Sequence, residues 1–250
     1  DRLLHHAIYR KLYPFFDRTF IVDSFSCRNE KGTHKAINRF RRFVWKVGKN
    51  NTKTCWILKC DIKKFFANIK HEILLRILCE RITDENSLKL LTESIGSFHT
   101  EGFYGKGLPL GNLTSQLFAN IYLNEFDQFM KHKLKVKHYI RYADDFVILS
   151  ESKTWLEEIL PLIKDFLRDK LKLEIHPDKI FMKTIASGVD FLGWVHFPNH
   201  RVLRTTTKRR MFRNLRENFS KETAASYLGM LKWGNTLDLQ KLFLRLYFRL

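Results

Sequence analysis

The apolar positions of this chain change period several times, and each change predicts an element. Residues 54–62, TCWILKCDI, are an apolar run of strand length that stops on an acid, Asp61. Residues 136–150, VKHYIRYADDFVILS, read as two short strands, with Ile140 and Tyr142 alternating on one side and Phe146 and Ile148 on the other, joined by a turn with Asp144 and Asp145 at its tip. Around these lie helical periods. Leu4, Ile8, Leu12 and Phe15 predict a short helix interrupted at Pro14. Ala36, Ile37, Phe40, Phe43 and Val44 share one face of another, with Thr33 as its cap. Residues 71–82 and 86–97 read as two helices, capped by Asp84 or Ser87. Leu117, Phe118, Ile121, Phe126 and Phe129 form the buried face of one running from about Thr114 to Lys131. Residues 153–171 are amphipathic, although Pro161 demands a kink or a later start. LKLEIHPDKI reads as a strand with a turn carrying Lys179, and DFLGWVHF with RVLRT as a hairpin-like pair around Pro198 and Asn199. From Thr205 the chain becomes basic and helical, with two or three helices and a break at Gly234.

Charge narrows what this pattern can serve. Lys and Arg total 45 against 26 Asp and Glu, a net charge of +19 with a pI near 9.9. That balance points to a polyanionic partner, most simply nucleic acid, ahead of a membrane surface. No run of 18 or more uncharged apolar residues occurs, and the opening DRLLHHAIYRKLY is too charged for a signal peptide, so no membrane is expected and the location is expected to be cytoplasmic. The opening Asp1, with no Met, suggests a trimmed or partial chain. Cys27, Cys55, Cys60 and Cys79 form no CxxC pair, so neither a zinc site nor a disulfide framework is indicated, and buried reduced thiols are expected. The basic residues are concentrated. Cys27 to Lys53 holds nine Lys or Arg against Glu30 alone, an imbalance that phosphate contact explains better than a solvated helix face, with Arg28, Lys31, Lys35, Arg39 and Arg42 as the contacts. Between Arg201 and Arg216 lie seven more, with no acid.

Three acids stand out against this basic body. Asp is a common turn former, and alone the Asp144–Asp145 pair would read as a solvated turn. Held between apolar strands, however, two such charges raise each other's pKa unless a cation neutralises them. With Asp61 at a strand exit, the set suits a pair of divalent ions about 3.5–4 Å apart, which lower the pKa of an attacking hydroxyl and stabilise a departing phosphate. Hard oxygen ligands select Mg2+, with Mn2+ as a substitute. The reaction class that fits is phosphoryl or nucleotidyl transfer on nucleic acid. The Gly-rich loop GKGLPLGNLTSQ, at 105–116, leads into a helix N-terminus that favours anions, but matches neither the Walker pattern nor GxGxxG.

Taken in order, CDIKKFF, GLPLGNLTSQ, YADD, LEIHPDK and FLGW resemble the successive sequence blocks of reverse transcriptases, and they cover nearly the whole chain. The resemblance implies an α+β, right-hand polymerase fold: fingers over 1–53 with part of 67–108, a palm with a central antiparallel sheet over 54–204, and a helical thumb over 205–250. It implies Asp61 and Asp144 as the main metal ligands, with Asp145 alongside and the carbonyl of Ile62 helping, around two Mg2+. Phe66, five residues after Asp61, matches the steric gate that excludes a ribose 2′-hydroxyl. Lys179 matches a lysine near the pyrophosphate leaving group, a proton donor beside the three catalytic aspartates. Leu110, Gly111, Ser115, Gln116 and Tyr142 fall around the incoming dNTP, and Phe191, Leu192, Gly193 and Trp194 match the primer grip. Each has a plainer reading, as core phenylalanine, surface lysine or ordinary hairpin.

The Gly-rich loop departs from most reverse transcriptases, which show Gln-Gly, three residues, then Ser-Pro; here Leu110 replaces the glutamine and Gln116 the proline. LGNLTSQ, together with DSFSCRNEKGTHKA and SYLGMLKWGNT, resembles the reverse transcriptases of diversity-generating retroelements. That implies copying of a template RNA into cDNA with errors concentrated at adenines, on an RNA/DNA primer-template hybrid with dNTPs. It also implies a small basic accessory variability protein as partner, in a bacterial or phage-infected bacterial cell. Retron-type enzymes are disfavoured by the absence of NAxxH and VTG elements, and group II intron proteins by the loop pattern and the lack of a maturase, DNA-binding or endonuclease extension. A bacterial reverse transcriptase of another type (phage defence, group II intron-like or retron-like) and a non-catalytic RNA-binding relative remain as alternatives, the last opposed by the three intact acids.

Overall fold

A computed structural model describes residues 2–217 and 220–247; Asp1 and the last three residues of the expected tail lie outside them. Contacts divide the chain into two units, Asp1–Phe43 with Trp56–Met182, and Val44–Cys55 with Lys183–Leu250.

The first unit is built on the apolar run that ends at Asp61. It forms β1 (Trp56–Asp61), which pairs antiparallel with β3 (Asp145–Ser150), and β3 pairs in turn with β2 (Tyr139–Tyr142). β4 (Phe181–Thr184), within which the chain leaves the unit, completes the order β2-β3-β1-β4. Phe146, Val147, Ile148 and Leu149 are all buried, as are Ile57, Leu58 and Cys60. Strands covered on both faces need apolar residues throughout, which is why Val147 and Leu149 are apolar beside the alternating Phe146 and Ile148, and why β1 reads as a run. The helices of the unit are α1 (Arg2–Asp17), α2 (Thr33–Val47, which continues into the second unit), α3 (Phe65–Asn68), α4 (His71–Cys79), α5 (Glu85–Gly96), α6 (Leu113–Gln128) and α7 (Lys153–Leu171). The five apolar residues expected on one face of α2 are buried, and Asp84 caps α5 by accepting from Ser87 N at 2.7 Å.

Several elements differ from expectation for identifiable reasons. α1 runs through Pro14 and α7 through Pro161, starting at Lys153 behind a Ser152 cap. Each proline forfeits a helical hydrogen bond, but buried Tyr13 and Phe16, and buried Ile159 and Ile163, hold those turns against the core. α2 begins at Thr33 itself, whose hydroxyl lies 3.0 Å from that of Tyr142 instead of capping the helix. LKLEIHPDKI forms no strand. Lys172 closes α7 with φ 51°, Ile175 makes a single bridge to Ile62, and Pro177, which cannot donate, opens a 3₁₀ turn through Lys179. α6 is buried on nearly every side, including Thr114, Ser115, Asn120, Asn124 and Asp127, so its polar residues need partners within the fold. Cys55 and Cys60 are buried, and burial pushes the Cys60 thiol up to about 12, but Cys27 and Cys79 are exposed.

The second unit carries a sheet of β5 (Val189–Phe191), β6 (Trp194–His196) and β7 (Arg201–Leu203), followed by α8 (Thr205–Glu217), α9 (Lys221–Leu231) and α10 (Leu237–Tyr247). The expected hairpin is a three-stranded meander. Leu192 (φ 51°) and Gly193 (φ 85°) make a two-residue turn between paired Phe191 and Trp194, because consecutive left-handed residues match the twist of the flanking strands. The break between α9 and α10 contains Gly234, where any Cβ would collide with the Trp194 ring. His196 is buried, with Nε2 donating to Phe191 O at 3.2 Å, and burial pulls its pKa down to about 4. An unfolded histidine takes its proton near pH 6.5, so the folded form loses up to about 3 kcal/mol as pH falls through that window. In thermal melts, His196→Gln is expected to show a smaller drop in Tm than the parent between pH 7 and pH 4.5.

Among the described residues no helix is long and apolar enough to cross a membrane.

Candidate active site

The register of the sheet brings the three aspartates together. Asp61, the last residue of β1, stands opposite Asp145, the first of β3, and Tyr142 stands opposite Asp145 on the other side. Asp144 therefore occupies a two-residue turn with Ala143, and Asp145 belongs to the strand rather than to the tip. Ala143 has φ 55°, a left-handed conformation that a residue with a Cβ adopts only when its surroundings impose it. The backbone after Asp61 is pinned on both sides: Ile62 N donates to Asp144 O (3.2 Å), Lys63 N to Glu174 O (2.8 Å) and His176 N to Asp61 O (2.8 Å). Ile62, fully buried, is fixed between the acids by this ladder.

Electrostatics at the three acids are unbalanced. Burial, joined by the charges of Asp61 and Asp144, holds Asp145 up at about 6, against the pull of Lys59 and Lys179. Burial and the Asp61 charge also raise Asp144, although Lys179 and Arg141 oppose them. Lys179 reaches in from the 3₁₀ turn, its Nζ donating to Asp61 Oδ1 at 3.0 Å, and that bond raises its own pKa. Lys59 Nζ lies 3.8 Å from Asp145 Oδ1. Among the described residues no group of three or more His, Cys, Asp or Glu is placed to hold a metal ion by itself. Asp61 is paired with Lys179 and Asp145 lies near Lys59, while burial, joined by the charge of Asp61, holds the Asp144 and Asp145 carboxyls up. Hard oxygen donors in that condition fit Mg2+, which binds through a few carboxylates plus substrate phosphates and not in an all-protein cage.

What the sequence did not single out is the support beneath the turn. The Arg141 side chain is buried and bidentate on Asp127, with Nε–Oδ1 at 2.8 Å and Nη2–Oδ2 at 2.7 Å. Its other hydrogens go to Asn120 Oδ1 (3.2 Å), Ser24 Oγ (3.1 Å) and the carbonyl of Ala143 (3.1 Å). Burial opposes the Arg141 charge, but the Asp127 carboxylate more than offsets it and the pKa is raised. Tyr139 Oη completes the Asp127 shell at 2.7 Å. The strained turn is thus held from below by an ion pair. A sequence signal existed, since Arg141 is a charge inside a strand otherwise apolar, and such a charge must find a buried partner.

The other expected site residues divide. Phe66 is half-buried, packs on the core, and accepts Leu108 N at its carbonyl (2.9 Å). Tyr142 is half-buried beside Thr33. Leu110 is 79% exposed and Gly111 is exposed with φ 93°, so both are open to a ligand; Gln116 is half-buried. Ser115 is 2% exposed, which walls it off from a nucleotide, because α6 is buried on nearly every side. Arg28 departs most from expectation: four of its five guanidinium N–H groups go to Asp17 Oδ1 and to the carbonyls of Asp17, Ile21 and Ser24, and its side chain is only 6% exposed to a phosphate. Arg39 is paired with Asp23, and Lys31 donates to Val22 O, whereas Lys35 and Arg42 are exposed. Phe191 and Trp194 are core residues of the second unit, and only the turn residues Leu192 and Gly193 reach its surface.

Comparison with known proteins bears on this geometry. A family model described as "Reverse transcriptase (RNA-dependent DNA polymerase)" matches residues 1–196. Protein YkfC of Escherichia coli strain K12 is 26% identical over 244 residues, covering 83% of this chain and 62% of YkfC. The group II intron-encoded protein LtrA of Lactococcus lactis subsp. cremoris is 25% identical over 263 residues, covering 78% of this chain and 42% of LtrA. The chain thus spans less than two thirds of the length of these relatives. Among solved structures, telomerase from Candida albicans in complex with a fragment of telomeric RNA matches with a TM-score of 0.61 at 11% identity, over 92% of this chain and 46% of that one. Apo telomerase from Candida tropicalis, truncated from its C-terminal domain, matches with a TM-score of 0.60 at 14% identity, over 80% and 45%. The fold is accordingly the α+β right-hand polymerase fold.

Proposed function

Because the chain belongs to the reverse transcriptase family, we propose that it is an RNA-directed DNA polymerase that extends a primer with dNTPs on an RNA template. The observation that carries this reading is the register that sets Asp61 opposite Asp145, with Asp144 in the adjoining turn and Lys179 on Asp61. Asp61, Asp144 and Asp145, with the Ile62 carbonyl, would hold Mg2+. Bound there, Mg2+ lowers the pKa of the primer 3′-hydroxyl and stabilises the charge on departing pyrophosphate. Lys179 carries the proton for that leaving group, and Phe66 faces the sugar of the incoming nucleotide. In this reading residues 1–53 with part of 67–108 act as fingers, 54–204 as palm and 205–250 as thumb, with Leu192 and Gly193 touching the primer.

The subtype we favour is a diversity-generating retroelement enzyme that makes cDNA with errors at template adenines, assisted by an accessory variability protein. What supports it is Leu110, a large apolar side chain 79% exposed at the point where other reverse transcriptases carry glutamine. A leucine offers the incoming nucleotide no hydrogen bond, so mispaired geometry is policed less strictly there. A group II intron-like enzyme is the second reading, supported by the similarity to LtrA. Sequencing of products made on an adenine-rich RNA template separates the two. Adenine-directed errors that fall several-fold in Leu110→Gln support the first; accurate synthesis supports the second, and adenine-directed errors that ignore the substitution remove only the role given to Leu110.

A further inference from the structure

The segment Thr100–Gly107, between α5 and α6, is anchored far more firmly than a surface loop requires. Thr100 N donates to Lys106 O (2.7 Å), Gly107 N to Ile69 O (2.8 Å) and His71 N to Gly105 O (3.0 Å). Thr100 Oγ1 donates to Ala67 O (2.9 Å), and His71 Nε2 lies 2.7 Å from Gly107 O. Gly107, at φ 100°, sits so close to Thr100 that a Cβ would collide with its hydroxyl. A loop fixed this well could have packed its rings against the protein. Instead Tyr104 is 91% exposed and Phe103 58% exposed. Lys106 Nζ stands 4.7 Å from the centre of the Phe103 ring, and the His99 ring 5.1 Å from that of Tyr104. His99 is not free to swing, since its Nδ1 accepts Gly105 N at 3.3 Å. A cavity of about 740 Å³ lies against the flanking residues Phe98 and Pro109 and takes Arg2, His5 and His6 from α1. From this loop Leu108 N reaches back to the carbonyl of Phe66, five residues beyond Asp61.

We propose that this loop is a binding site for unpaired nucleic acid, with Phe103 and Tyr104 stacking on bases while Lys106 and the Arg2, His5 and His6 cavity take the phosphates. Rigid, solvent-facing rings next to cations are what a single strand requires. Every base offers a π-face, and a duplex hides those faces in its own stack. A net charge of +19 favours a polyanion over a protein segment as the occupant. Naming the strand rests on the polymerase reading: it is the unpaired template ahead of the aspartates.

The test is fluorescence anisotropy of the whole chain, without divalent metal, on a labelled single-stranded RNA and on a fully paired RNA/DNA hybrid of the same length. Phe103→Ala with Tyr104→Ala is expected to weaken single-strand binding about tenfold to a hundredfold, with hybrid binding changed less than twofold. Phe103→Trp with Tyr104→Phe is expected to restore it. Both residues are exposed, and matching melts verify that the variants are folded. Single-strand affinity unchanged in the alanine pair, or equal losses on both ligands, overturns the proposal and leaves the rings as a surface for a protein partner. The polymerase reading fails separately, through absent primer extension by the parent chain, and that outcome leaves the binding difference to stand on its own.

Discussion

Asp144→Asn is expected to lower Mg2+-dependent primer extension by roughly a thousandfold, equivalent to about 4 kcal/mol of transition-state stabilisation. The same substitution is expected to leave the melting temperature at pH 7.5 unchanged or higher. The second half follows from the sign of the pKa shift. Burial and Asp61 raise the Asp144 carboxyl, so the folded state pays for its ionised form at any pH above that raised value. A neutral amide removes the charge and relieves Asp61, while the turn keeps its hydrogen bonds. Loss of activity with retained or increased stability is the pattern of a residue kept for chemistry. A matching loss of Tm would instead class Asp144 as a structural residue.

Asp127→Ala is expected to be the most damaging single change to the fold. It strands the guanidinium of Arg141 in the core with its bidentate partner gone, and an uncompensated buried charge costs about 3–5 kcal/mol. Against a typical total of about 5–15 kcal/mol, that is enough to unfold much of the protein at 37 °C, and chemical denaturation would register it as a shifted midpoint. Replacing the pair together, Asp127→Leu with Arg141→Met, separates stability from positioning. The double variant is expected to recover most of the lost stability, since apolar residues often substitute well for a buried ion pair. It is still expected to extend primers poorly, because Ala143 loses the donor that holds its carbonyl and the turn carrying Asp144 is no longer fixed. Full activity in that double variant would mean the ion pair serves the fold alone.

How far the sequence alone reached depended on which residues interact locally. β1 and the β2–β3 pair were legible because apolar runs bounded by acids have few other homes, and the antiparallel register then places Asp61 beside Asp145 with no further information. The helices were legible in extent, including residues 153–171, but Pro14 misled as a stop and Pro161 does not delay the start of its helix, since burial of neighbours outweighs one missing hydrogen bond. The extended reading of LKLEIHPDKI failed because its apolar residues face a single bridge partner, Ile62, and Pro177 stops the pairing there. Arg28 and Arg39 were read as phosphate contacts by composition; only the fold brings Asp17 and Asp23 onto them. Arg141 went unremarked because its partner, Asp127, lies on another element, and such pairings are set by tertiary packing.

The central claim, that the three aspartates are a polymerase centre, meets its most direct test in one assay. Purified chain would be given a DNA primer annealed to an RNA template, with dNTPs, and product length followed with Mg2+ or with EDTA, alongside Asp144→Asn. The account predicts template-directed extension by the parent chain in Mg2+, none in EDTA, and a loss of roughly a thousandfold in the variant. Extension that persists undiminished in Asp144→Asn, or that proceeds without a divalent ion, would contradict it.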